Sequence, residues 1–274
     1  MINRQINKII ENALKEDIGK EDITTNSIVP KDLMTKAVLL VKENGIIAGL
    51  DVAREVFRKL DKQIYFEKLV EDGSKVKKGQ IIARIRGKAR AILSGERVAL
   101  NLLQRMSGIA TITNGFVKLS GNVKILDTRK TIPNLRILEK YAVKIGGGTN
   151  HRFGLYDAIL IKDNHIQIAG SVGEAIRRAR NSRKSKTIEV ETTSMKEIEE
   201  ALEARAEIIL LDNMSIEEIK KAVKFINKRA KTEISGGVKL DRIKDISRTG
   251  ADYASTGFIT HSAKALDISL DVVK

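Results

Sequence analysis

The chain has 274 residues, 42% of them hydrophobic, with no cysteine and a formal net charge of +15. That is enough for one barrel-sized domain, or for such a domain with a smaller companion, and it lacks the composition of a disordered chain. It excludes disulfides, thiolate metal sites and a cysteine nucleophile. The charge admits nucleic acid, an anionic substrate or a general surface bias as its cause. Aromatics make up only 4% and tryptophan is absent, so base-stacking platforms are poorly supplied.

Residues 2–17 carry Ile2, Ile6, Ile9, Ile10, Ala13 and Leu14 on one helical face. Charges run throughout this segment, so it is not a secretory signal, and nowhere does an apolar run reach membrane-span length. The expectation is a soluble, cytoplasmic protein with no membrane partner. The acids Glu16, Asp17, Glu21 and Asp22 follow, read as solvated loop residues around a stop at Gly19 rather than as metal ligands.

Residues 35–42 and 45–50 read as strands, and 51–60 as a short helix with Asp51 as its N-cap. Short β runs fill 63–93, punctuated by Asp72-Gly73 and Lys78-Gly79. They are similar to the sandwich of lipoyl and biotinyl carriers, but no lysine stands at a hairpin tip to be modified. Ser94 is expected to cap a long helix to about Leu119, with Val98, Leu102, Met106, Ile109 and Ile112 on its apolar face. On that reading Arg97 falls in the first turn, where pattern alone leaves it an exposed surface residue.

Beyond Gly121 short apolar runs alternate with helical ones. Strands are expected at 123–127, 158–162, 187–191, 208–212, 232–235 and 253–256, with a seventh hidden near the glycine run 146–148. Helices are expected at 134–144, 171–181, 194–204, 215–229 and 239–248. This alternation predicts a parallel sheet. The densest basic run, Arg177 to Lys186, sits where a helix ends before a strand, where cations suit the helix dipole.

Each strand finishes in polar residues: Asp127-Thr128-Arg129-Lys130, Lys162-Asp163-Asn164-His165, Glu189-Val190-Glu191, Leu211-Asp212-Asn213, Ser235-Gly236-Gly237 and Ser255-Thr256-Gly257. Between the first two lies Gly146-Gly147-Gly148-Thr149-Asn150-His151-Arg152. Residues spread over all strand ends fit a (β/α) barrel, which gathers its site at the C-terminal ends of its strands. A doubly wound sheet concentrates them at one switch point.

The cations of the 127–165 stretch point to a small, multiply anionic substrate. Glu189 and Glu191 lie two apart and so share one side of an otherwise apolar strand, where a carboxylate needs a cation, a metal or a ligand hydroxyl. With Asp212, Glu191 suits ribose hydroxyls or a magnesium ion; a salt bridge to a lysine is the structural alternative. The glycine turns at 235–237 and 255–257 let backbone N–H groups approach a phosphate, with His261 close behind. Walker A, G-x-G-x-x-G and G-x-S-x-G are absent, and the histidines lack zinc spacing. Asp252 to Gly257 half matches a diphosphoribosyl loop, but Ala251 stands where a second acid is needed.

Taken together, GERVALNLLQRMSGIAT (95–111), DTRKTIPNLR (127–136), YAVKIGGGTNHRFGLYDAILIKDNH (141–165), EVE, LLDNM, SGGV and the TG-x-x-THS run at 256–262 resemble the quinolinate phosphoribosyltransferase family. The likeness extends to AGLDVAREVF at 48–57 and covers nearly the whole chain. Thr192 and Ile234 are small departures beside the matched positions.

The resemblance implies an N-terminal α/β sandwich (1–108, joined by 266–274) and an open seven-stranded, TIM-like α/β barrel (109–265). It implies a homodimer in which Arg97 reaches the neighbouring subunit's site. It implies transfer of phosphoribose from phosphoribosyl pyrophosphate to quinolinate with decarboxylation, giving nicotinate mononucleotide in NAD biosynthesis. Arg97, Arg129 and Arg152 would hold quinolinate, with Thr128, His151, Lys130 and Lys162 nearby. Lys130, Lys162, Glu191 and Asp212 would serve catalysis, the last two also holding Mg2+. Ser235, Gly236, Gly237, Thr256, Gly257, Phe258 and His261 would bracket the 5′-phosphate. The alternatives are a paralogue of the same fold acting on another ring, such as nicotinate, and a basic nucleic-acid-binding protein.

Overall fold

The computed structural model describes residues 2–182 and 187–273. Arg183, Lys184 and Lys186 of the basic run lie outside the described residues. The chain separates into two compact units, residues 1–114, 132–147 and 262–274, and residues 115–131 and 148–261. Elements are numbered in chain order.

The first unit begins with α1 (Arg4–Ile18) and α2 (Ile23–Ile28). Ile6, Ile10 and Leu14 form the buried stripe of α1, as the periodicity requires. β1 (Met34–Val41), β2 (Gly45–Ile46), α3 (Leu50–Leu60), β3 (Tyr65–Lys68), β4 (Lys75–Val76) and β5 (Ile81–Lys88) follow. α4 (Ala89–Leu119) opens in this unit, to which α5 (Arg136–Ile145) and β12 (Ile268–Val273) also belong. The sheet runs β12-β1-β5-β3, with β1 antiparallel to both neighbours.

Three local readings are corrected here. The 45–50 run stops being a strand after Ile46, because Gly49 takes φ +107° and turns the chain into α3. Asp51 is not the cap of α3. Asp72 instead accepts from Gly49 N–H at 2.9 Å and Leu50 N–H at 3.1 Å, and Asp51 sits inside the first turn, 3.1 Å from Arg54. Nor does Ser94 start a helix: α4 begins at Ala89, straight out of β5, and Ser94 spends its hydroxyl on Asp22 at 2.8 Å. Arg97 is therefore in the third turn, not the first.

The second unit is a parallel α/β array. β6 (Lys124–Leu126), β7 (Ile159–Ile161), α6 (Asp163–Ala169), α7 (Val172–Asn181), β8 (Ile188–Thr192), α8 (Met195–Glu203), β9 (Ile208–Asp212), α9 (Ile216–Ile226), β10 (Lys231–Ser235), α10 (Ile243–Ile246), β11 (Tyr253–Ser255) and α11 (Phe258–His261) succeed one another. Its six-stranded sheet has the order β6-β11-β10-β9-β8-β7, all pairs parallel. Thr149 adds an isolated parallel bridge to Leu126.

Helix ends in this unit follow local chemistry. Ser171, Ser194 and Ser215 cap α7, α8 and α9 through their hydroxyls, and Glu218 returns the bond to Ser215 N–H. The expected helix at 239–248 shrinks to α10. A helix absent from the sequence reading, α6, forms directly after β7; His165 Nδ1 accepts from Lys162 N–H at 2.9 Å and closes its first turn.

Candidate functional site

The second unit carries a cavity of about 740 Å3 over the C-terminal ends of its parallel strands. Parallel pairing fixes its layout, because side chains at equal register share a row. Glu191 of β8 and Glu233 of β10 both stand opposite Leu210 of β9, and Asp212 stands opposite Ser235.

From β6 come Thr128, Arg129 and Lys130. They follow Asp127, which is fully buried and accepts the His151 N–H at 2.9 Å. That bond, with the Leu126–Thr149 bridge, holds the glycine-rich loop against β6 and delivers His151 and Arg152 to the cavity wall. Arg152 donates to Ala158 O at 3.1 Å. Burial first, then the neighbouring charge of Arg129, lowers its guanidinium pKa, while Glu189 works in the opposite sense. Two arginines drawn together with partial desolvation are the setting for a bound anion, which would relieve their repulsion.

Lys162 follows β7, at the N-cap of α6, and reaches Glu191 Oε2 at 2.8 Å. This is the salt bridge that stood as the alternative to a ligand role for Glu191, and it also keeps the ammonium at the cavity. Asp212 accepts from Asn213 Nδ2 at 2.6 Å, and Asn213 holds a left-handed φ of +54°. The carboxylates of adjacent strand ends are hard oxygen donors suited to Mg2+ that keeps water or phosphate oxygens as its remaining ligands. They do not make a three-donor cluster by themselves. Among the described residues that arrangement occurs at His151, Glu189 and Glu233.

The glycine turns close the far side. Gly236 (φ +83°) and Gly237 (φ +60°) take backbone angles that disfavour side chains, and a Cβ on Gly236 would collide with Asn213. A Cβ on Gly257 would stand 2.8 Å from Lys130 Cδ and 2.9 Å from His261 Cδ2. Thr256 Oγ1 donates to Val238 O at 2.8 Å and so ties the two turns together. Phe258 packs near His261 with ring centroids 6.4 Å apart. His261 closes α11. Thr260 Oγ1 donates to Lys130 O at 2.8 Å, linking the last strand's turn to the first's.

Thr128, Arg129, Lys130, His151, Arg152, Lys162, Glu191, Asp212, Ser235, Gly236, Gly237, Thr256, Gly257, Phe258 and His261 thus line one cavity. Arg97 belongs to the first unit; its side chain is 59% exposed and 3.8 Å from Glu96. His165 is used as a helix cap. Sequence reasoning passed over Glu233, which lines the cavity while only 1% of its surface is exposed. Its strand reads Lys-Thr-Glu-Ile-Ser, with one apolar residue, so the apolar setting that singled out Glu189 is missing around it.

Burial pushes the Glu233 carboxyl up to about 7, helped by the negative charge of Glu189 and opposed by His151 and Ser255. The floor of the cavity is thus acidic and dry, its rim cationic.

Family models match in two pieces: one described as the C-terminal domain of quinolinate phosphoribosyl transferase over residues 109–271, the other as its N-terminal domain over residues 22–107. A probable nicotinate-nucleotide pyrophosphorylase (carboxylating) of Bacillus subtilis is 45% identical, covering 99% of this chain and 95% of its own. One from Methanocaldococcus jannaschii is 48% identical over 97% of each. The solved structure of the nicotinate-nucleotide pyrophosphorylase from Francisella tularensis superposes with a TM-score of 0.95 at 42% identity, covering 100% of this chain and 98% of that one.

Proposed function

The chain belongs to the quinolinate phosphoribosyltransferase family, and from that premise we infer that it converts quinolinate to nicotinate mononucleotide, with loss of carbon dioxide, in NAD biosynthesis. The observation that carries the reading is the single cavity in which Arg129, Lys130, Arg152 and Lys162 face two strand-end carboxylates and two glycine turns. Quinolinate has two carboxylates, and paired guanidinium forks match them.

The phosphoribosyl donor in this reading is phosphoribosyl pyrophosphate. Its 5′-phosphate fits the turns at Ser235–Gly237 and Thr256–Gly257 with His261 beside them. Its ribose hydroxyls fit Glu191 and Asp212, and its pyrophosphate fits Lys130 and Lys162. Arg129 and Arg152, with His151, fix the quinolinate carboxylates so that the ring nitrogen faces the ribose anomeric carbon. The N–C bond forms as the C–O bond to pyrophosphate breaks and the pair of electrons leaves with pyrophosphate. Charge spread over an oxocarbenium-like ribose and the departing diphosphate is met by groups already in place, which is where such sites gain most of their rate.

The new pyridinium then accepts the electrons released when the adjacent carboxylate leaves as carbon dioxide, and that ring carbon takes a proton from water. No dedicated general base is required; a steep loss of turnover in His151→Ala with binding intact would overturn that. Mg2+, held by Glu191 and Asp212 with the pyrophosphate oxygens, would neutralise the leaving group when bound.

The assembly in this reading is a homodimer in the cytoplasm, with Arg97 supplied to the neighbouring subunit's cavity; the exposure of that side chain supports it. No described helix is long and apolar enough to cross a membrane. The parallel sheet, with the Thr149 bridge beside β6, supports an open seven-stranded barrel.

The test is to mix purified protein with phosphoribosyl pyrophosphate, Mg2+ and either quinolinate or nicotinate, and to follow carbon dioxide and nicotinate mononucleotide. Product from quinolinate alone is expected. Product only from nicotinate would overturn the roles of Arg129 and Arg152.

A further inference from the structure

Beneath the cationic rim, two buried glutamates that the reaction just described does not use converge on the half-buried His151. His151 Nε2 lies 2.9 Å from Glu189 Oε2 and 3.6 Å from Glu233 Oε2. The second oxygen of each glutamate is buried with no hydrogen-bond partner. Two carboxylates left this dry are costly in an apolar core, so packing does not explain them.

Their chemistry dictates the state of the ring. A nitrogen 2.9 Å from the Glu189 carboxylate must carry a hydrogen, because its lone pair would repel that oxygen, and Glu233 at 3.6 Å adds to the same field without a hydrogen bond of its own. With Nε2 committed, Nδ1 is the ring's other nitrogen. The main chain is fixed as well, since Asp127 takes the His151 N–H at 2.9 Å. The groups facing this cluster are Glu189 on β8, Glu233 and Ser255 on β10 and β11, and Arg152 on the loop beside His151.

We propose that Glu189 and Glu233 act together as positioning residues for His151, keeping it an imidazolium whose Nε2–H points at them so that its Nδ1–H is the donor offered to a quinolinate carboxylate. The proposal rests on the reading that quinolinate sits against His151. Glu189 holds the ring by a hydrogen bond and Glu233 faces the same nitrogen from β10, so a flipped ring would lose both. A structural cluster alone would leave substrate affinity untouched. A metal ion at the same three residues would need the Nε2 lone pair and so the opposite protonation.

The experiment reads the ring directly. In 15N-edited imidazole spectra of the full-length protein, the three histidines give three ring systems, and that of His151 is identified by its loss in His151→Gln. Hydrogens on both ring nitrogens are expected in the wild type, and loss of one of them in Glu189→Gln/Glu233→Gln, which preserves shape. The double variant and Glu233→Ala should raise KM for quinolinate about ten-fold or more, with KM for phosphoribosyl pyrophosphate little changed. Glu233→Gln should recover most of the loss seen in Glu233→Ala.

An unprotonated Nε2 or Nδ1 in the wild type overturns the proposal. So does a folded double variant with wild-type KM for quinolinate. Wild-type protein that fails to turn over quinolinate sinks the substrate reading instead, while the proton on Nε2 is still read from the spectrum.

Discussion

Glu191 and Glu233 stand in the same row of the parallel sheet, each opposite Leu210, yet they meet opposite fates. Glu191 faces the cavity mouth and holds Lys162 at 2.8 Å, whereas Glu233 is buried beside His151 and Glu189. One strand of separation divides a carboxylate at the rim from one in the floor. Replacing Glu191 should therefore strike chemistry. Glu191→Ala releases Lys162 and, on the proposed function, takes away a ribose and Mg2+ contact, and turnover should fall by about 100-fold, as for other preorganised charges. Steady-state release of carbon dioxide measures it; a loss below three-fold would remove Glu191 from the reacting centre.

Arg129→Lys and Arg152→Lys keep the charge and lose the planar fork. KM for quinolinate should rise by about 10- to 100-fold for each, with KM for phosphoribosyl pyrophosphate within a few-fold of wild type. Equal losses toward both substrates would mean that these arginines do not divide their labour as argued.

Glu233 makes stability depend on pH in an unusual direction. Its carboxyl titrates near 7 in the folded chain against 4.5 in the reference state. Between those values the folded protein holds a proton that the unfolded chain has released. The group's contribution is thus fully present below the unfolded value and is lost as pH rises through 7. Glu233→Gln should gain on wild type by on the order of 1–3 kcal/mol between pH 4.5 and pH 8. Urea unfolding at a series of pH values gives the difference, and parallel curves for the two proteins would refute it.

Gly236 has room for nothing larger. Gly236→Ala places a methyl group at φ +83° against Asn213, and should cost about 1–3 kcal/mol and loosen the turn. A melting temperature lowered by several degrees, with weakened affinity for phosphoribosyl pyrophosphate, is the expected pair of results. Unchanged affinity would separate this turn from the phosphate.

The second unit was the more legible in sequence because its rules are local. Buried parallel strands read as short apolar runs, and the polar residues that end them mark the site, so Lys162, Glu191 and Asp212 declare themselves by position. What escaped depends on distant partners. Asp72 caps α3 from another part of the chain, and Ser94 serves Asp22 rather than a helix start. α6 hid because its first turn is closed by an imidazole rather than a hydroxyl or carboxylate. Glu233 was overlooked because nothing in sequence tells a strand's outward acid from an inward one until its row is known.

The order of the strands has a consequence for how the protein is made. β6, the first strand of the parallel sheet to leave the ribosome, is paired with β11, the last, and β1 keeps one edge for β12. Both sheets therefore wait with an open edge through most of translation. Nascent chains halted before Tyr253 should be rich in unpaired strand and dependent on chaperones. A stop codon that removes only β12 should cost solubility far out of proportion to its length.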